Sequence, residues 1–186
     1  MKKYLEWANR EPSTRRLVVT LLLAGTLFLA GLPILIAVAA DTLDGALGLP
    51  RLPAGIAIDA AGVVMLVAGG FLALWAVLAE ARIGHGTPVP MIPTQRLVVV
   101  PPFTYCRNPM VLGTVVGYLG FGVLLGSVAA LALVIGFAGL LVLYVKVFEE
   151  RELEARFGTD YLDYKRTTPF LLPRITKPPR TKWRTR

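Results

Sequence analysis

The stretch "MVLGTVVGYLGFGVLLGSVAALALVIGFAGLLVLYV", Met110 to Val145, runs for 36 residues without a charged side chain. A single straight helix of that length would rise about 54 Å, far more than the roughly 30 Å hydrocarbon core of a bilayer. Gly126-Ser127 near its middle offers a turn, so the stretch reads as two apolar helices in a tight hairpin. The first arm, roughly 16 residues or 24 Å, is short for a crossing and has to be tilted, thinly covered or packed inside. Gly113 with Gly117, and Gly122 with Gly126, repeat at the GxxxG spacing that lets helices approach closely.

Upstream lie two more apolar runs, Leu17 to Ala40 and Ile56 to Leu78, each long enough to cross. Arg15-Arg16 and Asp41 bound the first, and Asp59 is the only charge in the second. The chain as a whole is 55% hydrophobic and 17% charged, too apolar for an ordinary soluble domain. The expectation is an all-α integral membrane protein of about four transmembrane helices, the last two forming the hairpin.

Charge sets its orientation. Eleven of the twenty Lys and Arg lie from Lys146 onward and five precede Leu17, so both termini are expected at the cytoplasmic side. The same rule accounts for the formal charge of +8 without nucleic acid, for which no recognition motif is present. A lone cysteine, Cys106, excludes an intrachain disulfide, and no Cys/His set has metal-site spacing. The expected organisation is a basic N-terminus over 1–16, two helices over 17–83, a core over 84–175 and a basic tail over 176–186.

The hairpin's second arm keeps helical spacing through "KVFEERELEARFG", without a breaker before Gly158, which predicts one helix over 128–157. Glu150 falls on the stripe of Leu153 and Phe157, with Lys146 one turn back; Arg151 and Glu154 point away, and Glu152 can pair with Arg156. On residue chemistry alone, Glu149 and Glu150 are either a Lys146–Glu150 pair beside a solvated acid run or a buried anionic site. The stretch "YCRNPMVLG", Tyr105 to Gly113, has the same ambiguity. Asn108 is a good N-cap, Pro109 suits a first helical position, and Arg107 can snorkel to phosphates, none of which requires a function.

Between the second and third spans, "RIGHGTPVPMIPTQRLVVVPPFTY" is long and rich in Pro and Gly, so fixed turns rather than helix are expected. His85, the only histidine, is flanked by Gly84 and Gly86 and reads as an exposed turn. Tyr161 and Tyr164 suit either a membrane interface or the wall of a ligand pocket.

Three pieces in order, "GTPVPMIPTQRLVV", "YCRNPMVLG" and "EERELEARFGTDYLDY" with a following "PFLLP", resemble the isoprenylcysteine carboxyl methyltransferase and phospholipid methyltransferase group of membrane enzymes. The likeness covers about Gly84 to Pro173. It implies methyl transfer from S-adenosylmethionine at the cytoplasmic face to a lipophilic or small acceptor, a carboxylate, amine or thiol. It also implies a cofactor pocket formed by the hairpin, the preceding loop and the C-terminal segment. By motif, Arg107, Asn108, Pro109 and Gly113 occupy the family's Arg-His-Pro element, with Tyr105 ahead of it. Glu149 and Glu150 occupy its paired acids, and Tyr161, Tyr164 and Arg166 its C-terminal cofactor-side segment. Arg107, Asn108 and Glu150 are the catalytic candidates, with Glu149 in a supporting or ribose contact; no metal is implied. Asn108 stands where well-known members have His, Val111 and Phe103 where Tyr is frequent, and Pro101 where Gly is usual. The competing readings are a reductase related to membrane sterol reductases, which would take NADPH, and a non-enzymatic four-span protein.

Overall fold

A computed structural model describes residues 13–87 and 92–174. The basic N-terminus, the Pro88 to Met91 part of the loop and the basic tail fall outside the described residues. The described chain is all helix, turn and loop, without strands: α1 Thr14–Leu47, α2 Ile56–Gly84, α3 Pro109–Leu124, α4 Val128–Phe157 and α5 Thr159–Thr167. Three of these, α1, α2 and α4, are long and apolar enough to cross a membrane, and α3 is shorter. The fold is that of an all-α integral membrane protein.

The hairpin turns at Gly126, whose φ of 62° is the left-handed conformation that glycine adopts without penalty. Helix α4 then runs unbroken to Phe157 and stops at Gly158, which has φ 54° and donates its N–H to the Glu154 carbonyl. Helix α1 extends seven residues past the expected Ala40, to Leu47. Asp41 and Asp44 therefore belong to a helix rather than a loop. Asp44 Oδ1 accepts a hydrogen bond from the Ala129 N–H at 3.0 Å, satisfying an otherwise unpaired donor in the first turn of α4.

Three helices carry a five-residue π turn: Leu27–Gly31 in α1, Glu80–Gly84 in α2 and Val145–Glu149 in α4. The first lies just ahead of Pro33, which lacks the N–H that would continue the ladder. The third bears on the two readings left open for the paired acids and counts against the Lys146–Glu150 pair. Across the wide turn the Glu150 N–H bonds to the Val145 carbonyl, five residues back. Val145 is consequently buried one turn below Glu150, and Lys146 is swung outward.

The described chain forms two compact units. One comprises Gly25–Ala73 and Val111–Leu143. Its α1, α3 and α4 segments share a core of Ile36, Ala40, Tyr118, Ala130 and Val134. Its α2 and α3 segments meet through glycine: a Cβ on Gly113 would lie 2.5 Å from the Ala73 nitrogen and 2.6 Å from the Gly69 carbonyl. The expected Gly113–Gly117 contact is thus part of this seam, which continues to Gly120 against Gly62. Gly122 packs instead on Leu131, and Gly126 is the turn residue.

The other unit takes in the described parts of Met1–Ala24, Leu74–Met110 and Tyr144–Arg186. Its core is Ala76, Ala79, Val98, Phe103, Tyr161 and Tyr164. Here the long loop is held by fixed turns, as its composition predicts. Gln95 donates to the Gly84 carbonyl at 2.5 Å and Thr87 to the Ile92 carbonyl at 2.8 Å. His85 is exposed in a left-handed turn with φ 51°.

Candidate functional site

The second unit contains an open cleft, about 690 Å³ when the solvent at its mouth is counted. Glu80 from α2, Phe103 and Arg107 from the loop, Tyr144, Glu149 and Arg156 from α4, and Tyr164 from α5 face it. Two of its acids lie in π turns, Glu80 opening one and Glu149 closing another, and such turns recur at functional sites because they re-aim side chains.

Arg107 is central. Its NH1 lies 2.8 Å from Glu150 Oε1 and donates to the Tyr161 hydroxyl at 3.4 Å. Both side chains of the ion pair are only 10% exposed. Lys165 reaches the other oxygen of Glu150 at 2.8 Å and also Glu154 at 2.7 Å. The Glu150 carboxylate is therefore engaged at both oxygens, while Glu149, the adjacent acid, is the one on the cleft wall. The Arg107 Nε–H is buried and has no hydrogen-bond partner, and neither has Glu80 Oε2.

Asn108 is committed to the scaffold. Its Nδ2 donates to the Phe170 carbonyl at 2.9 Å, the Arg107 N–H donates to Pro169 at 2.9 Å, and the Arg174 N–H donates to Tyr105 at 3.0 Å. These bonds tie "YCRNP" to "PFLLP", and the Phe170 ring lies under both Arg107 and Lys146. Pro109 is buried at the first position of α3. Tyr161 and Tyr164 are core residues rather than interface aromatics. Tyr164 donates to the Phe103 carbonyl at 2.7 Å, and burial raises its phenol well above the ordinary value. Burial, reinforced by Glu150, pushes the Tyr161 phenol up to about 12. Burial also raises the Cys106 thiol, which keeps it from serving as a ready thiolate.

Among the sequence candidates, Arg107, Glu149, Glu150, Tyr161 and Tyr164 come together around this cleft. Gly113 belongs to the helix seam of the other unit. Tyr105 is 39% exposed, and Arg166 is exposed beside Asp163 at 3.7 Å. Glu80 and Arg156 were not singled out by sequence reading. Arg156 is held by Glu152 at 3.2 Å, the expected i,i+4 pair, and donates to the Thr94 carbonyl at 2.5 Å. Glu80 had one visible signal: it is the first charge after the apolar run of α2, at a helix end where a cation is the usual residue.

Chemically, the cleft offers an unused guanidinium N–H, aromatic walls and three acids, Glu80, Glu149 and the Arg156-paired Glu152. Those are complements of an α-carboxylate, a cationic group and a flat heterocycle. No group of three or more His, Cys, Asp or Glu suited to a metal ion occurs among the described residues. A family model described as "Phospholipid methyltransferase" matches residues 58–160, more than half of the chain. No curated protein and no solved structure matches it.

Proposed function

The chain belongs to the phospholipid methyltransferase family and is a membrane methyltransferase; from that premise we propose that it takes the methyl group from S-adenosylmethionine. The proposed acceptor is lipophilic or small, and the site opens at the cytoplasmic face. The observation that carries the reading is the partnerless, buried Arg107 Nε–H on the same cleft as Glu149. A guanidinium N–H without a partner in a buried site is costly unless a ligand oxygen takes it up. The α-carboxylate of an amino-acid-derived donor is such a group, and Glu149 is the acid available for its α-amino group. Tyr144, Phe103 and Leu97 supply apolar wall for an adenine.

When bound, S-adenosylmethionine supplies an electrophilic methyl group on a positively charged sulfur. This chain's residues then have three tasks. Glu150 and Tyr161 hold Arg107 by its NH1, leaving Nε–H for the ligand. Asn108 fixes the loop that carries Arg107 and, as an amide, takes no proton from an acceptor. Leu97, Phe103 and Leu153 give the cleft an apolar wall against which an aligned acceptor is held to meet the methyl group.

Isothermal titration of detergent-purified protein with S-adenosylmethionine tests the reading. One saturable site is expected, weakened at least about tenfold by Arg107→Lys, which keeps a charge but lacks the fork. A folded sample that takes up no cofactor at about 1 mM, a binding free energy weaker than about 4 kcal/mol, would overturn it.

A further inference from the structure

Lys165 does not line the cleft, yet two acids of α4 hold it in one place. Its Nζ lies 2.8 Å from Glu150 Oε2 and 2.7 Å from Glu154 Oε1. Those bonds raise it above the ordinary lysine value, so it is a cation throughout the physiological range. Arg107 stands on the other side of the same carboxylate, its NH1 2.8 Å from Glu150 Oε1. That approach is off line: no N–H is aimed at Oε1, and NH1 donates instead to the Tyr161 hydroxyl. An arginine and a carboxylate commonly meet as a two-pronged fork, with parallel N–H bonds to both oxygens. Here the second oxygen belongs to Lys165, and the fork does not form. Arg107 is left with a buried, partnerless Nε–H, and its NH2 donates no hydrogen bond among the described residues. Nε–H and NH2 together make the long edge of the guanidinium, which can grip a carboxylate at both oxygens.

Resting on the methyl-donor reading, we propose that Lys165 is a positioning residue for cofactor binding: by holding Glu150 Oε2 it keeps the Nε and NH2 edge of Arg107 open for the donor's α-carboxylate. Without Lys165 that oxygen loses its donor, and a buried carboxylate oxygen is costly until it is paired again. The arginine already beside it carries an idle one, NH2. Turning to it closes an end-on fork of NH1 and NH2 on Glu150 and takes one prong from the edge that faces a ligand. Charge acts in the same direction. Of the two acids on Lys165, Glu154 is 37% exposed and screened by solvent, whereas Glu150 is 10% exposed and depends on its cations. With Lys165 present, Glu150 offsets parts of two positive charges; with Lys165 gone it offsets Arg107 alone, and Arg107 attracts a second anion less.

The test is calorimetric titration of the full chain in detergent with two probes, S-adenosylmethionine and its decarboxylated form, which keeps the sulfonium, ribose and adenine and lacks only the carboxylate. The parent should prefer S-adenosylmethionine at least about tenfold, the least that a charge-assisted hydrogen bond contributes. In Lys165→Met the preference should fall below about threefold through weaker binding of S-adenosylmethionine, while affinity for the decarboxylated form changes less than about twofold. Lys165→Arg, which keeps a cation with reach to both acids, should retain the parent's preference. Binding of the decarboxylated form by Lys165→Met doubles as the check that this variant is folded. An undiminished preference in Lys165→Met, equal weakening of both probes, or a Lys165→Arg variant no better than Lys165→Met would each overturn the proposal. A parent that binds both probes alike would remove the carboxylate from Arg107 and overturn it equally. A parent that binds neither would instead sink the methyl-donor reading beneath it.

Discussion

At the scale of single residues, the protein's strongest commitment is the buried Arg107–Glu150 pair, with the partly exposed Lys165 on the other Glu150 oxygen. Removing one member of a buried ion pair is costlier than never having had the pair, because the remaining charge stays desolvated. Glu150→Gln is expected to destabilise by about 3 kcal/mol, while a joint Arg107→Met and Glu150→Met replacement recovers much of that loss. Melting temperatures of the single and double variants in one detergent check this. A second expectation concerns alkaline pH. The Tyr161 phenol is pushed up to about 12, by burial first and by Glu150 second, so the folded state holds its proton after an unfolded chain has released it. Stability from this source is fully present below the ordinary tyrosine value near pH 10 and is lost as pH rises toward about 12. Lys165, also raised, chiefly by its bonds to Glu150 and Glu154, acts in the same direction above pH 10.5. Tyr161→Phe should flatten the fall in melting temperature across that window, and an unchanged slope would contradict it. Arg107 and Glu150 stood out in the sequence only as candidates, each with a bland alternative, a snorkelling cation and a Lys146 pair. That they bind each other was not legible, since the sequence gives no distance between "CRNP" and "FEER".

At the scale of elements, the hairpin, its Gly126 turn and the Gly158 stop were readable because an uncharged run, a turn residue and a helix breaker are local signals. The π turns were not, because no composition specifies one extra residue in a helix. That single insertion decides whether Lys146 or Val145 lies beneath Glu150, and it defeated a stripe drawn at 100° per residue. The end of α1 was misread for a related reason. Asp41 and Asp44 look like loop residues, but Asp44 is buried in a capping contact with Ala129 that only the folded chain supplies. The glycine seam yields a sharp element-level prediction. Gly113→Ala places a Cβ against backbone of Gly69 and Ala73 that cannot swing aside, so a loss of about 1–3 kcal/mol is expected. Gly136→Ala meets nothing within 4 Å and gains helix propensity, so it should melt at or above the parent temperature. Equal behaviour of the two variants would mean that α2 and α3 do not pack through Gly113.

At the scale of the whole molecule, the distribution of basic residues predicts an orientation. The loop between α1 and α2 carries one cation, Arg51, and the α3–α4 turn carries none. Arg51 is itself paired with Asp41 at 3.3 Å and donates to the Leu125 carbonyl, so even this charge is partly spent on structure. Arg15 and Arg16 at the start of α1, Arg82 at the end of α2, Arg107 before α3, and Lys146, Arg151 and Arg156 in the latter part of α4 all flank the opposite helix ends. Insertion follows such Lys/Arg bias. It is therefore expected that the α1–α2 loop faces outward and that α5, with the Arg107 and Glu149 motifs, faces the cytoplasm, where a charged methyl donor is made. The protein lends itself to the measurement, because its one thiol, Cys106, is buried and can be replaced by Ala for a cysteine-free background. In that background Gly55→Cys, exposed and with open space at its Cβ, should react with a membrane-impermeant maleimide on intact cells. Asp160→Cys, exposed on α5, should react only after the membrane is opened. The reverse pattern would place the cleft on the outer face, away from the cytoplasmic donor supply, and would count against the methyl-donor reading as well as the topology.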